Sequence, residues 1–184
     1  MSAKKETYKI NVAGVQRDLR LFKVPSGVKI AILNILGDTE FTQACAKLLA
    51  KKLSMIEYDT LLTAEAKSIP LAHALSVATK KPYVILRKSY KPYMGKTLEA
   101  ETISITTGKP QSLFLDEKDM ALLKGKKVVI FDDVISTGST QEGMRQIVKQ
   151  AKGKVAAEAA IFTEGDCDQW KSIIALGNLP IFKD

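Results

Sequence analysis

Val128 to Thr140 reads VVIFDDVISTGST: an apolar run ends in two adjacent carboxylates, and a turn of small, hydroxyl-bearing residues follows. In the turn Ser136-Thr137-Gly138-Ser139-Thr140, Gly138 lets the backbone come close to a ligand and the hydroxyls donate hydrogen bonds. The helix expected to begin here directs free N–H groups and its positive dipole end at the same place. A monophosphate fits such a cradle. The turn is not a Walker loop, because it holds no lysine and lacks the glycine-lysine-threonine ending. An ordinary strand–turn–helix junction with an N-cap has a similar look, and Asp132 and Asp133 are what separate the two readings. Carboxylates at the end of a buried strand are costly to desolvate unless they meet a cation or hydroxyl donors. A sugar diol together with Mg²⁺ supplies both.

The elements around this segment must hold it at an edge where a ligand has access. Val28 to Leu33 (VKIAIL) reads as a strand, and Glu40 to Leu53 carries Phe41, Ala44, Cys45, Leu48 and Leu49 at helical spacing. Asp59 to Thr63 (DTLLT) fits a buried strand, followed by a helix from about Ile69 to Ala78 that Lys81-Pro82 breaks. Further strands are expected at Tyr83 to Leu86, Ile103 to Thr106 and Val128 to Phe131, then a helix over Gln141 to Ala151 and a strand over Val155 to Phe162. Alternation of this kind predicts an α/β fold with right-handed crossovers around a mainly parallel sheet. Its ligand crevice lies at the carboxyl ends of the strands, where Asp132 and Asp133 fall. No repeat, low-complexity run or Gly/Ser linker marks a second domain, so residues 1–184 read as one.

The order apolar strand, Asp132-Asp133, two apolar residues, a small residue and Thr137-Gly138-Ser139-Thr140 resembles the phosphoribosyl pyrophosphate (PRPP) motif of type I phosphoribosyltransferases. The resemblance implies that fold, with a small hood from about residues 10–35 and 165–184. It also implies that Asp132 and Asp133 hold the ribose hydroxyls, partly through Mg²⁺, while Ser136 to Thr140 hold the 5-phosphate. Glu65-Ala66-Lys67-Ser68 is similar to the family's pyrophosphate loop, with Ala66, Lys67 and Ser68 at the leaving group. Arg87-Lys88-Ser89-Tyr90-Lys91 and Gly95 to Thr102 look like the lid of the enzymes that act on adenine. There, Arg87, Lys88 and Lys91 would face pyrophosphate oxygens, in the same or the neighbouring subunit of a homodimer. Glu101 matches the glutamate that handles the purine proton, a match that Glu99, Asp116 and Glu117 lack. A closing lid has a physical purpose, since the oxocarbenium-like state formed as pyrophosphate leaves must be kept from water. Ser136 stands where the hypoxanthine-guanine branch carries an aspartate, which points to adenine as the base, with xanthine or another 6-oxopurine as the runner-up. Phe22 to Val28 is similar to the hood that covers the base, and Leu176 to Phe182 reads as a turn and strand completing it. Two departures bear on the base: the loop reads Glu-Ala-Lys-Ser where adenine enzymes commonly have arginine and glycine, and the lid is longer around Tyr90 to Thr97.

The net charge of +8, from 28 basic and 20 acidic residues, fits either a solvated basic surface or an anion-attracting field. A DNA-binding regulator that keeps the PRPP site as a sensor is the competing class. About twenty residues precede the hood, too few for a helix-turn-helix module, so no nucleic-acid partner is expected. A phosphatase or kinase is excluded for want of a nucleophile motif or Walker lysine. Neither an apolar leader nor an apolar run of membrane-spanning length occurs, so a cytoplasmic protein with Cys45 and Cys167 as reduced thiols is expected. His73 and Trp170 read as packing residues, with no ligand partners at metal spacing.

Overall fold

The computed structural model describes residues 6–25, 27–103 and 110–183. The chain opens with β1 (Thr7–Val12), β2 (Val15–Lys23) and β3 (Lys29–Ile32), then α1 (Thr39–Leu53), β4 (Thr60–Ala64), α2 (Ile69–Thr79) and β5 (Tyr83–Leu86). β6 (Leu98–Ile103) and β7 (Pro110–Leu115) precede β8 (Lys127–Ile135), α3 (Ser139–Gln150), β9 (Lys154–Glu164), β10 (Ile174–Leu179) and β11 (Ile181–Phe182). The main sheet is five-stranded in the order β10-β9-β8-β4-β5, with every neighbouring pair parallel. This is the parallel α/β sheet expected from the alternating pattern.

The pleat of β8 shows how both faces are used. Val129 and Phe131 join one core with Phe41, Leu49, Leu71 and Leu75 of α1 and α2, whereas Val128 and Ile130 join a second with Met144, Ile147 and Val148 of α3. All four β8 residues are fully buried, which explains an uninterrupted apolar run where a half-exposed strand would alternate. α1 starts where Asp38 accepts the Phe41 N–H at 3.1 Å and ends with Lys51 and Lys52 in its last turn, matching both ends of the helix dipole. α2 begins with Pro70 in its first turn, where a missing N–H costs nothing.

Three differences from the sequence reading matter for the site. β1 and β2 are additional strands, and with β3 and β11 they form an antiparallel sheet in the order β1-β2-β3-β11 that makes the hood. In β1 the inward Tyr8, Ile10 and Val12 alternate with exposed Thr7, Lys9 and Asn11, a period-two signal short enough to pass unread. The expected strand Ile103 to Thr106 begins earlier: β6 ends at Ile103, and 104–106 lie outside the described residues. β6 pairs antiparallel with the unanticipated β7 as a separate hairpin, whose Ala100, Thr102 and Leu113 are buried where it packs over α3. Finally, the closing segment divides. β10 extends the main sheet, and only the two residues of β11 join the hood, antiparallel to β3.

Candidate active site

Asp132 and Asp133 lie within β8, three and two residues before its end. The Ser68 hydroxyl, from the loop between β4 and α2, donates to Asp132 Oδ1 at 2.6 Å and accepts the Asp133 N–H at 2.9 Å. The Asp133 N–H also reaches Asp132 Oδ1 at 2.9 Å. Burial, and then the charge of Asp133 beside it, push the Asp132 carboxyl up to about 7. A pair so poorly compensated for charge suits a cation or a set of hydroxyl donors.

β8 then turns sharply into α3. Gly138 takes the left-handed conformation, with φ of 78°, and a β-carbon there would meet the Trp170 ring at 3.2 Å. Ser139 opens α3, so the N–H groups of its first turn have no acceptor within the helix and aim at the hollow of the turn. The Thr137 and Ser139 hydroxyls lie 3.2 Å apart on the rim. Val134, Ser136 to Gln141, the two acids, Lys67, Gln111, Glu164 and the hood residues Ile30 to Leu33 line one cleft of about 310 Å³. The glycine-centred turn, the two acids and residues of β3 thus share one cleft.

A second hollow of about 170 Å³ adjoins the acids, lined by Ala64 to Ser68, Lys88 and Thr140. Ala66, Lys67, Ser68 and Lys88 therefore meet Asp132 and Asp133, as expected of residues around one ligand. Arg87 does not join them: its Nε pairs with Glu65 Oε2 at 2.6 Å, while Glu65 Oε1 accepts the Lys88 N–H at 2.6 Å. It faces a different hollow with Asp116, Lys118 and Asp119, because the carboxylate before the loop captures it. Lys91 is exposed ahead of the short 3₁₀ turn Pro92–Met94, away from both hollows. Glu101 is exposed as well. It pairs with Ser112, whereas the next pair, Thr102 and Gln111, turns to the other face of the hairpin, and Gln111 lines the cleft. The structure thus brings Gln111, not Glu101, to the cleft. The segment expected as a lid is tied down here, since Glu117 accepts the Lys96 N–H at 2.9 Å beside Gly95.

Residues the sequence did not single out complete the site. Glu164, at the end of β9, is 7% exposed and accepts the Ser136 hydroxyl. Its carbonyl accepts the Trp170 indole N–H at 3.0 Å, which seats that ring against Gly138. Gln141 is buried with its side-chain N–H₂ unpaired among the described residues. Glu164 follows the apolar run Ala159 to Phe162 near the end of β9, as Asp132 follows Val128 to Phe131 in β8, which is the signal that could have found it; Gln141 carries no comparable signal.

The phosphoribosyl transferase domain model matches residues 32–173. The chain is 33% identical over 128 residues to the adenine phosphoribosyltransferase of Thermosipho africanus, covering 68% of this chain and 71% of that one. It is also 28% identical over 162 residues to the purine biosynthesis transcriptional repressor PurR of Bacillus subtilis, covering 85% of this chain but spanning only 56% of the repressor's length. The crystal structure of adenine phosphoribosyltransferase from Thermoanaerobacter pseudethanolicus superposes with a TM-score of 0.72 at 24% identity, covering 87% of this chain and 95% of that one. With the parallel sheet, the hood and the acid-then-glycine turn between them, these matches show that the chain belongs to the phosphoribosyltransferase family and has its type I fold.

Proposed function

We propose that this chain transfers ribose 5-phosphate from PRPP to a purine base, with adenine the preferred acceptor, and releases pyrophosphate. The observation that carries the reading is the meeting, in one cleft, of a glycine-centred phosphate turn, two acids fastened by Ser68 and an apolar hood wall. Ser136 to Thr140 hold the 5-phosphate, Asp132 and Asp133 hold the ribose hydroxyls, and Ala66, Lys67, Ser68 and Lys88 hold the departing pyrophosphate. Ser136 in place of an acid and the relationship to an adenine enzyme support adenine. Among the described residues no cluster of three or more metal-ligating side chains occurs. Mg²⁺ is commonly held by one or two carboxylates and completed by substrate oxygens. Asp132 and Asp133 would hold it, and it would neutralise charge on the leaving pyrophosphate. The protein's own groups do the rest: the turn fixes one end of the sugar, the hood excludes water above C1, and the pyrophosphate loop withdraws the leaving group. The proposed role of Glu101 requires the hairpin to turn its outer face toward the cleft.

A second reading rests on the repressor relationship and the net charge of +8: a PRPP-responsive regulator that binds nucleic acid. Incubating the protein with PRPP, Mg²⁺ and adenine, hypoxanthine, guanine or xanthine in turn, and measuring pyrophosphate, decides between them. Adenine-dependent release is expected. No release with any purine, together with PRPP-dependent DNA retention, would establish the regulator instead.

A further inference from the structure

We propose that Glu164 reads the purine, accepting N–H donors from an amino group on the base and rejecting an oxo group at the same position; this rests on the phosphoribosyltransferase reading above. Glu164 is 7% exposed, lines the cleft, and makes no ion pair among the described residues. One of its oxygens takes the Ser136 hydroxyl, which leaves the other oxygen without a donor among the described residues. A carboxylate accepts hydrogen bonds and cannot donate them, so a buried one facing a cleft selects for donors.

Its position in the fold says which part of a ligand it meets. Ser136 begins the phosphate turn, so Glu164 is anchored to that turn from the side. On its other side, a β-carbon on Gly165 would meet Ile181 at 3.1 Å, the Gly165 N–H donates to Leu179, and Ile181 pairs with Ile30 of the hood. Glu164 therefore stands between the phosphate turn and the hood strand. A base joined to a phosphate held in the turn must occupy that interval. Glu164 is also separated from the acids that would hold the sugar, since they belong to the neighbouring strand β8 and are bound by Ser68. The Ser136 hydroxyl fixes the carboxylate's direction, which makes Ser136 a positioning residue. An amino group donates into this carboxylate, whereas an oxo oxygen would face it lone pair to lone pair. A site built for a donor discriminates far more strongly against its absence than an apolar pocket does.

The test compares AMP with IMP, which share ribose and phosphate and differ at the edge in question. Thermal shift gives the affinity of each for the parent, Glu164→Gln and Ser136→Ala, referred to ribose 5-phosphate, which lacks the base. The parent should prefer AMP, Glu164→Gln should narrow the AMP-to-IMP ratio by about 10-fold or more because an amide can also donate, and Ser136→Ala should narrow it less. An unchanged ratio in Glu164→Gln, with ribose 5-phosphate still protecting, overturns the role of Glu164 and leaves the phosphoribosyl site standing. Preference of the parent for IMP also overturns it. If ribose 5-phosphate fails to protect the parent, the phosphoribosyltransferase reading falls and takes this one with it. Should Glu164→Gln fail to fold, an unchanged ratio in Ser136→Ala overturns the arrangement on its own.

Discussion

The Ser68 hydroxyl lies 2.6 Å from Asp132 Oδ1, so a side chain from the loop after β4 fastens the acid near the end of β8. Ser68 is 1% exposed and also receives the Asp133 N–H, which makes it a junction between the loop after β4 and the acid pair of β8. Ser68→Ala removes the hydroxyl donor from the buried Asp132 carboxyl, while the Asp133 N–H keeps Asp132 Oδ1 as its acceptor, a change that costs about 1 kcal/mol. Urea unfolding should show that loss, and calorimetry should show Mg²⁺-PRPP binding about tenfold weaker or worse. Stability and affinity both unchanged would show that the junction is incidental.

Asp133→Asn removes charge while keeping shape. Mg²⁺-PRPP affinity should fall strongly with the fold intact, because an amide neither neutralises a divalent ion nor accepts on both sides from a diol. Isothermal titration against parent-like affinity is the decisive comparison.

Gly138→Val should abolish protection by ribose 5-phosphate. The residue sits at φ of 78°, where a β-branched side chain is strained, and its β-carbon would press on Trp170 at 3.2 Å and crowd the phosphate turn. Survival of thermal protection at the same ligand concentration would remove the turn from the phosphate site.

The Asp132 carboxyl supplies a pH dependence of stability. Its folded value of about 7 lies above the ordinary 3.8, so between these values the folded protein keeps a proton that the unfolded chain releases. The resulting stability is fully present below pH 3.8 and is lost as pH rises to about 7, by at most about 1.4 kcal/mol per pH unit. Melting curves at pH 5 and pH 7.5, without ligand, should differ more in the parent than in Asp132→Asn. Identical pH slopes for the two proteins would mean that the carboxyl titrates normally.

Glu101→Gln tests whether the outer face of β6 takes part in turnover. As a general acid or base it should cost about 10²- to 10⁴-fold in single-turnover nucleotide formation from adenine, with PRPP affinity retained. Glu99→Gln, on the same exposed face, is the control. Equal, small losses in both variants would take Glu101 out of the chemistry.

The acid pair, the glycine-centred turn and the parallel sheet were legible from local sequence, since each rests on neighbouring residues: an apolar run, two carboxylates, then small hydroxyl residues before a helix. The lysine loop was read by resemblance, and Lys67 lines the same hollows as Asp132 and Asp133. Other features depend on contacts far apart in the chain. Ser68 meets Asp132 across 64 residues, Glu164 meets Ser136 across 28, and Glu65 captures Arg87 across 22. None of those pairings has a local signature, because each is set by which strands the sheet makes neighbours. The register of β6 against β7 likewise decides that Gln111 and not Glu101 faces the cleft, since a shift of one residue along a strand exchanges its two faces. Sequence alone determined the acid pair and the glycine-centred turn at the crevice; the tertiary pairing of β8 with β4 and β9, and of the hairpin with α3, decided which other groups, Glu164 and Gln111 among them, join them there.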